Sequence, residues 1–260
     1  MCLAFFVVFA GKIQRSASVE ICETSQESGA SEPAAEAAGS EKPVDEKPET
    51  DQQESETMDP PVEFETLQAV NPDIVGWIRI PGTKIDYPVV QTEDNDRYLH
   101  TGFDGKENAS GSIFLDYEGR SDFKGRNTVL YGHNMKNGTM FRDLIKFKDK
   151  DYFKKHQYFA IYTPERTIYL KAIACYYDKA DAIIRKTEFR DDEEFQEFVE
   201  DVLTPCQFAE APKRTVENLY TLVTCSYEED DARTYLFAIE AEPFEQKQYL
   251  NYKIQQNCIK

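Results

Sequence analysis

Several common signatures are missing from this sequence, and each absence removes a class of function. The six cysteines, Cys2, Cys22, Cys175, Cys206, Cys225 and Cys258, include no C-x-x-C pair and follow no regular spacing. That argues against a disulfide framework and against a structural zinc site, both of which need clustered or repeated ligands. His-Glu-x-x-His is absent, and Asp94-Asn-Asp-Arg-Tyr98 lacks the glycine and distal glutamate of a calcium loop. No basic cluster and no phosphate-cradling glycine loop occurs, and the formal net charge is −18, so nucleic acid is a poor partner. Nothing in these residues requires a metal or a cofactor.

A full-length apolar span is missing too. Cys2 to Ala10 (CLAFFVVFA) is apolar and is followed by Lys12 and Arg15, but it has only about half the length that crosses a bilayer. Three readings are open for residues 1–15: part of a membrane anchor, a signal-peptide core, or an ordinary apolar N-terminus; the first is preferred because no small-residue cleavage site is clear. Residues 16–57 are dominated by Glu, Ser, Ala and Pro with almost no large apolar side chains. Such a segment cannot offset its own ordering entropy and is predicted to be a disordered acidic linker. An apolar run ahead of a long acidic spacer favours a folded domain, residues 58–245, tethered outside a membrane, with residues 246–260 as a polar, peripheral tail.

Within that domain, strands outnumber helices. Asp59-Pro60-Pro61 reads as a helix start, with Val62, Leu67 and Val70 giving a weak apolar face that Asn71-Pro72 ends. Val75–Ile80, Ile85–Val90, Gly111–Asp116, Asn127–His133, Tyr158–Tyr162, Thr167–Tyr177 and the two apolar runs on either side of Glu228–Asp231 read as strands. A short helix is predicted around Asn95–His100, and helical spacing appears in Met140–Phe147 and Lys150–His156. In Asp191–Leu203 an acidic first turn precedes Phe195, Phe198, Val199 and Val202, the pattern of an amphipathic helix. βαβ alternation is absent, so the fold class is mainly β, a closed barrel with an N-terminal helical segment and an inserted helix between late strands.

The chemistry concentrates in Asn218–Ile239. One β-rich run ends at the thiol Cys225, a polar acidic loop follows, and the next run starts beside the guanidinium Arg233. A thiol becomes a nucleophile where its surroundings favour thiolate, and an acyl-transfer intermediate needs positive charge facing its oxyanion. The base has to come from elsewhere in the chain. Of the three histidines, His100 and His156 read as ordinary polar surface residues, whereas His133 ends a strand in Tyr131-Gly-His-Asn134, where a side chain can face a cleft. Cys175 and Cys206 read as buried small hydrophobes.

Leu222-Val-Thr-Cys225 with Arg233 eight residues on, Tyr131-Gly-His-Asn134 and Gly111-Ser-Ile-Phe-Leu-Asp116, in this order, closely resemble the sortases of Gram-positive bacteria, specifically class B. The resemblance runs from about Met58 to Ala241. It implies a sortase-type barrel and a cysteine transpeptidase that cuts an LPxTG- or NPxTN-like sorting signal after its threonine, holds the acyl group as a thioester and passes it to an amine. That amine would belong to a peptidoglycan cross-bridge, anchoring surface proteins to the cell wall, or to a pilin lysine. Carried over to this chain, Cys225 is the nucleophile, His133 the general acid and base, and Arg233 the oxyanion and carbonyl stabiliser. Leu99, Ile183 and Ile184 match positions that form apolar walls for the signal, although core packing explains them nearly as well. Thr224 would position the nucleophile or serve β propensity alone, and Ser226, also a substrate-contact position, stands where some relatives carry Glu. A papain-like protease fits less well, because its histidine would lie downstream of the cysteine. An inactive barrel serving as a surface binding module is opposed by the complete set of three.

Overall fold

The structure, a computed structural model, describes residues 62–225 and 231–257. The apolar run and the acidic linker of the N-terminus, Asp59-Pro60-Pro61, Ser226 and Cys258 lie outside the described residues. Among the described residues no helix is long and apolar enough to cross a membrane.

Among the described residues, eight strands form a closed barrel in the order β1-β2-β3-β4-β7-β8-β6-β5. They are β1 (Ile74–Arg79), β2 (Asp86–Val90), β3 (Ile113–Leu115), β4 (Asn127–Tyr131), β5 (Tyr158–Tyr162), β6 (Thr167–Lys179), β7 (Leu219–Cys225) and β8 (Ala232–Glu240). The predicted closed, mainly β architecture is therefore present. Two neighbouring pairs, β2 with β3 and β4 with β7, are parallel, and the others are antiparallel. A parallel pair needs a long crossover, and the β4-to-β7 crossover carries most of the helical structure.

Side-chain alternation sorts the strands into an inner and an outer face. Ile78, Val89, Ile113, Leu115, Leu130, Tyr220, Leu222 and Leu236 share one buried cluster with Phe141, Leu144 and Phe147. Val129, Leu219, Val223, Tyr235 and Phe237 point the other way and pack under α3 (Asp192–Leu203) through Phe195, Phe198, Val199 and Val202. With both faces covered, β7 is buried along nearly its whole length, which is why Leu219–Val223 reads as a continuous apolar run and not as an alternating one. The α3 helix starts as its sequence predicts: the Asp191 carboxylate accepts the Glu194 amide at 2.9 Å.

Four elements differ from the sequence reading. The N-terminal helix α1 is short, Phe64–Val70, and the Asn95–His100 segment holds only a 3-10 turn, Arg97–Leu99. Phe141–Lys148 is also 3-10, entered through Met140 at φ 57°, before α2 (Lys150–Lys155) resumes α geometry with Asp149 as its cap. Finally, the polar C-terminal segment folds as α4, Pro243–Asn257. It is anchored by one buried aromatic, Tyr249, whose hydroxyl lies 2.6 Å from that of Tyr162, and by a 2.8 Å Lys171–Glu245 ion pair. One anchoring ring among polar residues gives almost no amphipathic period to detect.

Candidate active site

Strand register brings Cys225, Arg233 and His133 into one row. In the antiparallel β7–β8 pair Cys225 stands directly opposite Arg233. In the parallel β4–β7 pair Tyr131, the last residue of β4, stands beside Val223, and His133 lies as many residues past that pair as Cys225 does on β7. Cys225 and Arg233 share the parity of Val223 and Tyr235, so they belong to the outer face at the end of the barrel and not to its interior, and His133 follows the end of β4 beside them. Adjacent strands lie roughly 4.8 Å apart, so β8 with Arg233 and the continuation of β4 with His133 run on the two sides of β7.

Beyond Tyr131 the ladder is continued by other contacts. The Gly132 amide donates to Val223 O at 3.2 Å. The Thr224 hydroxyl, 2% exposed, donates to Gly132 O at 2.7 Å. Asn134 Nδ2 donates to Cys225 O at 2.8 Å. Gly132 cannot be larger: a Cβ there would meet Ile113 Cδ1 at 2.4 Å and the Phe141 ring at 2.8 Å.

His133 is half-buried, and its Nε2 lies 2.8 Å from the carbonyl oxygen of Leu99. A carbonyl only accepts, so Nε2 carries the proton and Nδ1 is the ring atom that can gain or lose one. The His100 ring is stacked 6.3 Å from that of His133. Cys225 is a free, half-buried thiol. Arg233, with 15% of its side chain exposed, pairs with Asp231 at 3.0 Å and donates to Ala232 O at 3.0 Å. Asp231 itself sits at φ 62°, the left-handed conformation that carboxylate and amide residues tolerate best.

The remaining sequence candidates separate. Leu99 is half-buried in its 3-10 turn, where its backbone reaches His133. Ile183 and Ile184 lie on the 3-10 turn Ala182–Arg185 but face opposite ways: Ile183 is 53% exposed, and Ile184 is 5% exposed in the apolar layer under α3. Thr224 takes the inward parity and ties β7 to the end of β4. Ser226 falls outside the described residues. His156 is not a surface residue: it is buried with Nδ1 2.9 Å from Pro81 O, and burial lowers its basicity. Cys175 and Cys206 are buried and free, with Cys206 Sγ 3.3 Å from Cys175 O.

One buried network next to this row was not read from the sequence. Asp116, fully buried at the end of β3, accepts from Tyr131 Oη at 2.7 Å, Arg185 Nε at 3.1 Å, Asn95 Nδ2 at 3.2 Å and the Glu118 amide at 3.0 Å. Burial, then the nearby Asp116 charge, pushes the Tyr131 phenol well above its usual range, so it stays a donor. Through Arg185 the network holds the turn that bears Ile183. The available signal was a carboxylate closing an apolar strand, Ser112-Ile-Phe-Leu-Asp116. A separate cavity of about 350 Å³, lined by Leu67, Trp77, Arg79 and Tyr162 among others, lies against β1, four strands round the barrel from β7, and contains none of these residues.

A family model described as "Sortase domain" matches residues 78–242. The chain is 37% identical over 169 residues to sortase B of Listeria monocytogenes, covering 65% of this chain and 69% of that protein. Its fold is similar to the X-ray structure of Clostridium perfringens sortase B, with a TM-score of 0.65 at 33% identity over 69% of this chain and 100% of that one. It is likewise similar to a Staphylococcus aureus sortase B–substrate complex, with a TM-score of 0.64 at 30% identity over 69% of this chain and 85% of that one.

Proposed function

The chain belongs to the sortase family, and on that premise we propose that Cys225, His133 and Arg233 carry its reaction. As a class B sortase it is a cell-surface cysteine transpeptidase that acts on sorting signals and anchors surface proteins to the cell wall. Polymerisation of pilins, open from the sequence, is not favoured, because each relative above is a sortase B.

The observation that carries the residue assignment is the shared row of thiol, imidazole and guanidinium. In the first half-reaction the Cys225 thiolate attacks the carbonyl carbon of the signal's threonine, and the carbonyl oxygen takes up the negative charge. Arg233, directly across from Cys225, offers a permanent cation with planar donors to that oxygen. The C–N bond then breaks, the imidazolium of His133 gives its proton to the departing amine, and a thioester remains on Cys225. In the second half the incoming amine loses a proton to His133 at Nδ1 while attacking the thioester, and the thiolate leaves. The Leu99 carbonyl keeps the other ring nitrogen protonated and fixes the ring plane.

Ile183, the exposed member of its pair, and the Leu99 side chain form apolar contacts for the signal, and Ile184 backs the turn from beneath. Thr224 acts by holding β7 to β4. The peptidoglycan cross-bridge supplies the amine. Residues 1–15 anchor the enzyme in the membrane, and residues 16–57 space the catalytic domain from it.

Fluorogenic LPxTG-, NPxTN- and SPxTG-type peptides with diglycine or triglycine test this reading directly. One of them is cleaved and joined to the glycine amine, and Cys225→Ala abolishes both. Turnover surviving that substitution would remove the thiol mechanism.

A further inference from the structure

We propose that Asn134 is a positioning residue whose single carboxamide locks the strand end bearing Cys225 to the turn bearing His133. The proposal rests on the assignment of those two residues above. Asn134 is 5% exposed. Its Nδ2 donates to Cys225 O at 2.8 Å, and its Oδ1 accepts from Arg142 Nη1 at 2.9 Å.

The place of this contact gives it meaning. The β4–β7 ladder ends at Tyr131 opposite Val223, and the last main-chain bond from that side is Gly132 N to Val223 O. At the next level it is a side chain, Asn134, that holds Cys225 O. The turn it belongs to is closed independently: Asn134 bridges to Met140, Phe141 N donates to His133 O at 2.9 Å, and Met140 N donates to Tyr87 Oη at 3.1 Å. Asn134 therefore joins a braced turn to the end of a strand, and the imidazole and the thiol sit on the two parts it joins.

Arg142 makes the arrangement directional. A guanidinium only donates, so it holds the amide oxygen and turns the NH2 towards the carbonyl of Cys225. An aspartate at 134 would keep the partner Arg142 but set an acceptor against an acceptor at Cys225. Asparagine is the residue that satisfies both ends at this length.

Reacting groups displaced by about 1 Å lose on the order of 100-fold in rate, so Asn134→Asp is predicted to lower kcat by roughly 30- to 100-fold, with KM for the cleaved fluorogenic peptide within about twofold. The pH profile of Cys225 alkylation by iodoacetamide, with Cys225→Ala subtracting the other thiols, is predicted to move as well, because the imidazole no longer sits at a fixed distance from the thiol. A purely structural role would leave that profile in place. Arg142→Met, which removes the guanidinium's hold on the amide oxygen, gives a smaller kcat loss of about 3- to 10-fold in the same direction. Asn134→Asp with kcat within threefold of the parent and an unmoved alkylation profile overturns the proposal, as does a loss carried by KM alone. If the position 134 variants do not fold, Arg142→Met decides on the same two readouts. An inert Cys225→Ala beside a fully active Asn134→Asp sinks the clamp alone, whereas an active Cys225→Ala sinks the thiol assignment beneath it.

Discussion

The row His133–Cys225–Arg233 and the neighbouring turn Ala182–Arg185 are held in place by different physics. The row is set mainly by main-chain register, a parallel pair and an antiparallel pair, continued past the strand ends by one main-chain bond and by the side chains of Thr224 and Asn134. The turn belongs to the β6–β7 connection and is held by side chains. Arg185 reaches the buried Asp116, and Asn127 Nδ2 donates to the carbonyls of Ile184 at 2.8 Å and Lys186 at 3.0 Å. The strand ladders fix most of the row and leave only its open end to the side chains of Thr224 and Asn134, whereas the turn depends on side chains throughout, those of Arg185, Asn127 and Asp181. The row should therefore govern kcat and the turn should govern KM.

The largest effects test the row. His133→Ala is predicted to lower kcat/KM by on the order of 10³, the range for a general acid and base. Arg233→Ala should lower kcat by about 10² to 10³, the range for one oxyanion donor. Arg233→Lys should recover only part of the loss, because an ammonium is a point charge without the planar fork. Steady-state kinetics with the cleaved peptide check all three. A loss in Arg233→Ala that fell mainly on KM would mean that the guanidinium binds the signal without stabilising the oxyanion, and the row would no longer be distinct from the turn.

Next in size is Arg185→Met. It leaves Asp116 buried with Tyr131, Asn95 and the Glu118 amide but without its cation. Removing one partner of a buried pair costs several kcal/mol, but a third of the Arg185 side chain is exposed, so the stability loss should be nearer 1 to 2 kcal/mol. For the peptide, KM is predicted to rise roughly tenfold with kcat within about threefold. Tyr131 offers the way to break the comparison, since it shares Asp116 with Arg185 and precedes His133 by only two residues. A kcat loss as large as the KM rise would show that the network holds the row as well as the turn.

The same contrast explains what could be read from the sequence. The strands of the barrel and the α3 helix were legible because each carries its signal locally, as an apolar run or as a capped 3.6-residue period. The proximity of Cys225 and Arg233 was legible too, since they stand eight residues apart in the sequence, at the end of one β-rich run and the start of the next. That His133 lies beside Cys225 was not, because it depends on parallel pairing between strands whose contacts span 92 residues; only the resemblance of the motifs pointed to it. Asn134 lies inside the Tyr-Gly-His-Asn motif and Asp116 inside Gly-Ser-Ile-Phe-Leu-Asp, yet neither announces its partners, which arrive from other elements. The burial of His156 and of Tyr249 was hidden for the same reason: each is a single residue on a polar segment, docked by tertiary contact.

The smallest predicted effects separate two adjacent isoleucines. Ile184 is packed beneath α3 with Phe195 and Phe198, among others, so Ile184→Ala should destabilise the domain by about 2 to 4 kcal/mol. Thermal unfolding should show this as a clear drop in midpoint. Ile183 points outward from the same turn, and Ile183→Ser should leave the midpoint unchanged within error. If Ile183 touches the signal, losing the burial of one aliphatic side chain that is only partly covered costs about 1 kcal/mol, or a roughly fivefold rise in KM, with kcat unaltered. The two variants differ by one position in sequence and should differ in which measurement they move. An unchanged KM in Ile183→Ser across all three peptide types would remove the apolar contact from the turn and leave its Arg185 anchor a structural device only.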